Sequence, residues 1–470
     1  VTLVASSAAN DQLSQFDLSL TSLTLNGSSE ASGSGTGGAG GTGVPLIGAP
    51  VHLEFMHLNG SAEPIGTVSV PQGTYSSATA TVGSSGFTCL DFSPADGSID
   101  VSYFGYESTP DSSVTVTLPG PIHVAGAHMG LQLDLLVSKS ASWATCDPNG
   151  LSSYAITPAF SLAPLQLSSA PTNAQTGLET GLQGTVAAVS GSSFTVTAMD
   201  GASCDAPAGQ QCAQGTVDGP SWQVSAGAGT VFQGISDASQ LAVGLPVEMD
   251  AAIQPDGSLL ASRIAVYDAN PADLTVYYDG PLLQVISSDP TLFDFGTEKT
   301  GPLLAGQGSY FNYSQASFQT SGELTNLSSL PFAASFTAAN MVPGQNLEVT
   351  THALQVTAGP GGVYAPAATV TLRPQTIDGT IEGVSSQGDF TVYTVALAPY
   401  DAFPTFAVRP GQTTLLTDPA SVVVYVDGGT QMLNSGSIAV GGVQRFTGLV
   451  FNDGGTLRMD CSQVADGVPE

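Results

Sequence analysis

Positive charge is nearly missing from this chain. Seven basic residues (Lys139, Arg263, Lys299, Arg373, Arg409, Arg445 and Arg458) face 38 acids in 470 residues, a net charge of −31. Phosphate recognition needs clustered Lys and Arg, and no two of the seven are adjacent. Nucleic acid is therefore excluded as a partner, and anionic membrane surfaces with it. No apolar run approaches the roughly 18 residues that span a bilayer. Amphipathic helices of three turns are also missing, and 56 Gly and 30 Pro would not sustain them. There is no G-x-S-x-G elbow, no H-E-x-x-H and no cysteine beside a histidine, so the usual signatures of nucleophile and zinc chemistry are absent.

What the chain does have is strand. "DLSLTSLTL", "VHLEFMHL", "ATATV", "SVTVTL" and "LQLDLLV" alternate with period two, and nine Asp-Gly and three Asn-Gly dipeptides punctuate them as hairpin turns. A hydrophobic fraction of 42% fills cores despite the net charge. The acids are scattered and read as solvated turn and edge residues. With so few cations, acidification carries the chain toward neutrality, so an acidic habitat is one reading of the composition.

A polar, turn-rich boundary falls at Ser168–Thr180, and beyond it the chain repeats. "GTVAAVSGSSFTVTA", "GPLLQVISSDPTLFDFG" and "GTIEGVSSQGDFTVYTV" open three units at Gly184, Gly280 and Gly379, and about sixty residues later Gly244, Gly344 and Gly441 line up in turns. The expected fold is all-β: a sandwich over 1–172, then modules over 181–279, 280–376 and 377–470, each a five- or six-stranded barrel or sandwich. Repeats in a row predict an extended rod in which each unit touches mainly its neighbours.

Five cysteines suit an exported protein, as does a chain that opens at Val1 with no charged-then-apolar leader. Cys204 and Cys212 bracket a short Pro/Gly loop and are expected to pair, as are Cys89 and Cys146 within the first domain. Cys461 aligns with Ala261, a small inward position, and is expected to be a buried free thiol.

Two resemblances emerge from these motifs. Residues 1 to about 170, with "NDQLSQFDLSLTSLTL", "VHLEFMHLNG" and the "VPQGTY" turn, resemble an uncharacterised domain of secreted bacterial lipoproteins, notably of acid-soil bacteria. The modules resemble a second uncharacterised family with "G-x-V-x-x-V" openings and a "VG-x-x-V-x-V…DG-x-L-x-A-x-x-I" close. The second copy uses "PG" for "VG", and the third puts Arg445 where an apolar residue is usual. The resemblance implies secretion and β folds and brings no catalytic residues.

Individual candidates for chemistry read as structural. G-x-G-x-x-G occurs at Gly33 and Gly35 inside a Gly/Ser tract that leads into "VPLIGAP", not into a helix, so it is no dinucleotide site. His52 and His57, like His123 and His128, are five apart and point to opposite faces of a regular strand, unlike metal ligands. Glu248 and Asp250, two apart, are expected on a solvent face rather than as a glycosidase pair. Lys139 and Lys299 are the only lysines an isopeptide cross-link could use. No cofactor is expected; structural calcium at an Asp-Gly loop such as "PADGSID" is the alternative.

The function expected is that of a secreted, non-enzymatic structural protein of a bacterial cell surface, whose partner is itself in a filament or array. The alternatives are a glycan-binding adhesin, with Trp143, Trp222, Tyr277, Tyr278 and Tyr400 stacking on sugars, and a lipid-anchored envelope protein. Val1, Thr2, Leu3, Val4 and Ala5, uncharged and alternating, are the candidate assembly strand; the competing outcome is an ordinary first strand of the sandwich. The Gly/Ser tract at Asn26–Pro45 has nothing to offset its conformational entropy on a lone monomer, so it is expected against the same or an adjacent interface.

Overall fold

The fold is all-β, and no described helix exceeds five residues. It comes from a computed structural model that describes the chain except residues 9–12, 30–42, 59–61, 93–98, 108–110, 127–128, 141–155, 166–177, 199–219, 255–256, 267–274, 287–291, 298, 301–306, 322–326, 353–354, 356, 360–361, 400, 407–414, 434, 436–437 and 468–470. The central part of the Gly/Ser tract and Cys146, Cys204 and Cys212 lie outside the described residues, as does most of "PADGSID".

The first unit is a sandwich of two sheets. One contains β1 (Thr2–Ala8), β5 (Ala62–Thr67), β10 (Gly130–Leu136) and β11 (Phe160–Pro164), in the order β11-β10-β1-β5. The other is built on β2 (Leu13–Ser29) and β6 (Gly73–Phe92), with β3 (Val44–Pro45), β4 (Val51–Glu54), β7 (Ile99–Glu107), β8 (Ser112–Val116) and β9 (Ile122–Val124) along their edges. A short helix, α1 (Val137–Ser140), follows β10. In β2 the buried residues run Phe16, Leu18 and Leu20, then Leu23 and Leu25. The parity changes where the register against β6 shifts between Leu20 and Ser22, because one extra residue in a strand moves every later side chain to the other face. The flanks of the Gly/Ser tract meet as a ladder, Thr24 opposite Pro45 and Leu25 opposite Val44.

β1 is not a free donor. It runs parallel to β10 from Thr2↔Gly130 to Ala8↔Leu136 and antiparallel to β5 on its other side. Both hydrogen-bonding edges are occupied within the chain, which corrects the placing of Val1–Ala5 at a subunit contact. Leu3 and Ala5 point into the sandwich core, whereas Val4 points the opposite way, into the core of the next unit. Burial on both faces explains why the strand carries no charge.

The second unit is a closed five-stranded barrel of β12 (Leu178–Ser190), β13 (Ser193–Ala198), β14 (Ser221–Gln233), β15 (Pro246–Ile253) and β16 (Leu259–Val266), in the order β12-β13-β14-β16-β15. Its third strand runs parallel to its fifth and all other neighbours are antiparallel, the connectivity of OB-type barrels. The third unit holds β17 (Thr275–Val285), β18 (Leu292–Thr297), β19 (Lys299–Thr300), β20 (Gln307–Asn312), β21 (Ser317–Thr320), β22 (Asn346–His352), β23 (Thr357–Gly359), β24 (Gly362–Pro366) and β25 (Thr369–Leu372). Here the fifth strand is broken after Pro366. β24 pairs in parallel with β20, and β25 pairs antiparallel with β22. The fourth unit, β26 (Gln375–Gln387), β27 (Phe390–Leu397), β28 (Ser421–Val426), β29 (Gln431–Leu433), β30 (Val443–Asp453) and β31 (Thr456–Asp466), closes again through the parallel pairing of β28 with β31.

The three barrels share their detail as well as their order. Gly244, Gly344 and Gly441 all have positive φ, at 92°, 97° and 84°. Their N–H groups donate to Val186, Leu282 and Ile381, each two residues past the opening glycine, and those residues donate back to Leu245, Gln345 and Gly442. The first strand bulges at the same place in each copy, after Val186, Leu282 and Ile381. The aligned glycine is thus a turn whose left-handed conformation costs an L side chain energy.

The units do not form a rod. Thr2 packs against Gly257, and the Ala62 N–H donates to the Glu179 carboxylate at 2.9 Å, joining sandwich to first barrel. Leu449 and Phe451 of the third barrel belong to the core of the second, and the Gln345 side chain of the second donates to the Val450 carbonyl at 3.0 Å. Arg445 of the third barrel reaches Asp134 of the sandwich at 2.7 Å. With the first and second barrels meeting through Arg263 and Tyr277, the contacts run in a closed cycle and the last unit touches the first.

Alanine at Gly244 or Gly441, where a Cβ would meet nothing within 4 Å, is expected to cost about 1–2 kcal/mol from backbone strain alone. At Gly344 the Cβ would also come within 2.8 Å of Phe403 and 3.0 Å of the Ala402 backbone, in the helix α2 (Ala402–Phe406), so Gly344→Ala is expected to cost more than either. Urea denaturation of the three variants checks the ranking.

Candidate functional site

The chemistry-bearing side chains converge on the seams between units. Four residues past each turn glycine, on the fourth strand of each barrel, stands a charged residue: Glu248, Glu348 and Arg445. Its cross-strand partner is the residue before each opening glycine: Gln183, Asp279 and Asp378. The barrel pleat turns this position outward, and the neighbouring unit covers it.

At the seam between the first two barrels, Arg263 on β16 gathers two carboxylates. It donates to Glu248 at 2.5 Å and to both oxygens of Asp250, at 2.6 and 3.0 Å. Its guanidinium carbon lies 5.6 Å from the centre of the Tyr277 ring, which belongs to the next barrel. Burial alone would lower the Arg263 pKa, but Asp250 and Glu248 outweigh it and hold the group above its ordinary value. Glu248 is fully buried, so its expected place on a solvent face is corrected. Closure against the second barrel, whose Tyr277 and Glu348 feel the Glu248 charge, puts it there. One guanidinium bridges both acids in an ion-pair network that carries one more negative charge than positive when both are ionised.

Beside it, on β22, Glu348 lies opposite Asp279, like charges across one ladder. Burial, then the Asp279 charge, push the Glu348 carboxyl up to about 8; Arg373, 3.8 Å away, pulls the other way, and Asp250 and Glu248 add to the rise.

At the seam between third barrel and sandwich, Arg445 donates to Asp134 at 2.7 Å and to the Asp466 carbonyl at 2.8 Å. Asp134 also accepts from Ser6 of β1 at 3.1 Å. Burial lowers the Arg445 pKa, while Asp134, Asp378 and Asp466 raise it to a net value above the ordinary one. The pair stands in a cleft of about 260 Å³ whose hydroxyl groups come from Ser6, Ser7, Thr117, Ser161, Thr376 and Thr447. At the remaining seam Arg458 pairs with Asp453 at 2.8 Å and lies 5.7 Å from the Phe332 ring of the second barrel and 5.9 Å from Tyr425 of its own.

Other candidates are not brought together. Trp222 and Tyr278 are buried, at 2% and 1% exposure, and Tyr277 lies under Arg263; these three are corrected as sugar-stacking residues. Barrel closure turns Trp222 and Tyr278 inward. Trp143 and Tyr400 lie outside the described residues. His52 meets Ser19 at 3.4 Å and His123 meets Thr74 at 2.9 Å, on different strands, while the His57 side chain and His128 are not described. Among the described residues no group of three His, Cys, Asp or Glu is placed to hold a metal, and no helix is long and apolar enough to cross a membrane. Cys461 is buried and free; its thiol donates to the Gln463 carbonyl at 3.1 Å, and burial pushes its pKa up. Cys89 lies on β6, where its backbone faces Leu13 and Ser102.

Residues 183–265, the first barrel, match DUF5666, a domain of unknown function. No curated protein matches the chain. Among solved structures, Drosophila Unr CSD456 aligns over 62% of this chain and 100% of its own at 10% identity, with a TM-score of 0.13, too low to bear on the fold.

Two outcomes follow from the seams. Arg445→Met strands the Asp134 charge in the cleft and is expected to cost about 3–5 kcal/mol, much of it recovered when Asp134→Asn is added; chemical denaturation of the single and double variants measures both. Glu348 has a folded pKa above its unfolded value, so the folded state binds the extra proton. Stability from this group is full below about pH 4.5 and is lost as pH rises through about 8. Across that window the slope reaches up to ~1.4 kcal/mol per pH unit, and Glu348→Gln is expected to flatten it in a denaturation series against pH.

Proposed function

We propose that this chain is an exported, non-enzymatic structural protein of a cell surface whose copies assemble with one another. The observation that carries the reading is where the buried charge goes. Arg263, Arg445 and Arg458 each touch two units, and their carboxylate partners are held at the same seams. Side chains that an enzyme would leave facing a substrate are committed here to holding four β units in a closed cycle. An assembling protomer needs that rigidity, because a subunit that yields at its seams cannot fix the position of the next. The assembly supported is one of compact protomers, since the last unit contacts the first.

Export is supported by the cysteine count, since the expected pairing of Cys204 with Cys212 and of Cys89 with Cys146 suits an oxidising compartment. The test is direct. The purified protein, examined by sedimentation velocity and negative-stain electron microscopy over a wide range of concentration and salt, is expected to form ordered filaments or arrays. Assembly is expected to strengthen with salt, which screens the repulsion between chains of net charge −31. A single monomeric species under all conditions ends the reading.

A further inference from the structure

One patch recurs on all three barrels, and only one copy of it is covered. It consists of the valine five residues past the opening glycine and the residue before the turn glycine. In the first barrel these are Val189 and Val243, 37% and 68% exposed; in the third they are Val384 and Val440, 48% and 62% exposed. In the second barrel the equivalents are Val285 and Pro343. Val285 packs against its own barrel's core, and the turn containing Pro343 is seated in the third barrel: Val342 joins that barrel's core and Gly344 abuts Ala402 and Phe403. The same turn that makes an interface inside the chain is therefore bare on the first and third barrels.

A strand edge runs beside each bare patch. β12 pairs with β15 only as far as Thr185, and Val186 bonds to the turn. Residues 187–190 have β13 on one side and no partner strand on the other among the described residues. β26 likewise pairs with β30 only to Thr380, and Ile381 bonds to the turn, which leaves residues 382–387 paired, among the described residues, with β27 alone. Such an edge offers main-chain N–H and C=O groups to another strand, and neither segment carries the Lys or Pro that commonly blunts an edge. Charge marks the same places. Gly184–Ala198 has no charged residue, and the equivalent third-barrel hairpin, Gly379–Leu397, has two, Glu382 and Asp389, in a chain with 38 acids. Two copies of so acidic a molecule approach with least repulsion where one surface is uncharged, as the first-barrel hairpin is.

We infer that the first-barrel edge of one copy pairs with the third-barrel edge of the next, Val189 with Val243 packing on Val384 with Val440. The two surfaces differ, so the contact is head-to-tail and propagates, unlike a two-fold contact, which stops at a dimer. This rests on the assembly proposed above and names its surfaces.

The experiment uses the full chain and three variants. Val189→Lys and Val384→Lys place a charge on each exposed edge. Ser386→Pro removes a main-chain donor one residue from the Gln387–Phe390 pair that closes the hairpin. Circular dichroism and melting temperature confirm folding. Each variant alone is expected to lose assembly and sediment as a monomer, while an equimolar mixture of Val189→Lys and Val384→Lys forms heterodimers that go no further, since only one compatible pair of edges survives. Variants that assemble like the parent, or that stop at homodimers, overturn the head-to-tail pairing and leave the assembly reading standing. A parent chain that is itself monomeric overturns both.

Discussion

Beyond hydrogen bonds from main-chain N–H groups, a chain with few cations has two ways to bury a carboxylate: give it one of those cations or let it keep a proton. Both solutions appear here, within one cluster. Arg263 holds Glu248 and Asp250, whereas Glu348, facing Asp279 with Arg373 farther off, keeps its proton into the neutral range. All four described arginines are in ion pairs, and three of them lie between units. The placement of so little positive charge decides which unit surfaces can be covered. A seam with a carboxylate and no arginine needs another donor, which is what the Ala62 N–H supplies to Glu179.

The three barrels show how a single strand order tolerates different seams. The turn glycine, its reciprocal hydrogen bonds and the bulge that follows stay fixed, because together they set the register of the first strand against the fourth. The fourth-strand position beyond the turn is free to change sign. It is acidic where Arg263 and Arg373 are near and basic where Asp134 waits on the sandwich. The second barrel, pressed from both sides, has its fifth strand split between two partners, and the break follows Pro366, which has no N–H for a ladder.

Much of this was legible in the residues. Period-two alternation and the spacing of glycines are local signals, and the all-β fold with its repeated turns follows from them. Cys461 aligned with a small inward position and is buried. The fate of Glu248 was not legible, because alternation says only that it leaves the barrel interior; what covers the outside is another unit. Trp222 and Tyr278 illustrate the same gap from the other side, since an aromatic in a strand does not announce which face it takes. Arg445, conspicuous as a departure from the family pattern, was the one available pointer to a seam. The recurrence of charge four residues past each turn glycine would have extended it to Glu248 and Glu348. The closed cycle itself depends on a pairing between residues 311 apart, beyond the reach of any local pattern.

That separation also bears on how the molecule is made. A chain delivered from its N-terminal end builds the sheet containing Asp134 first, and the guanidinium that answers it arrives with β30, when nearly everything else has emerged. Until then the part of that sheet around Ser6 and Asp134 lacks its cover, while Val4 and Ala62 are already packed under the first barrel. Contacts between residues so far apart in the chain form late, because closing so long a loop costs chain entropy before any contact offsets it. The last joint to form is thus the one that locks the others, and a chain cut short before β30 would lose with the clasp the strands that close the third barrel and the Leu449 and Phe451 side chains that fill the second.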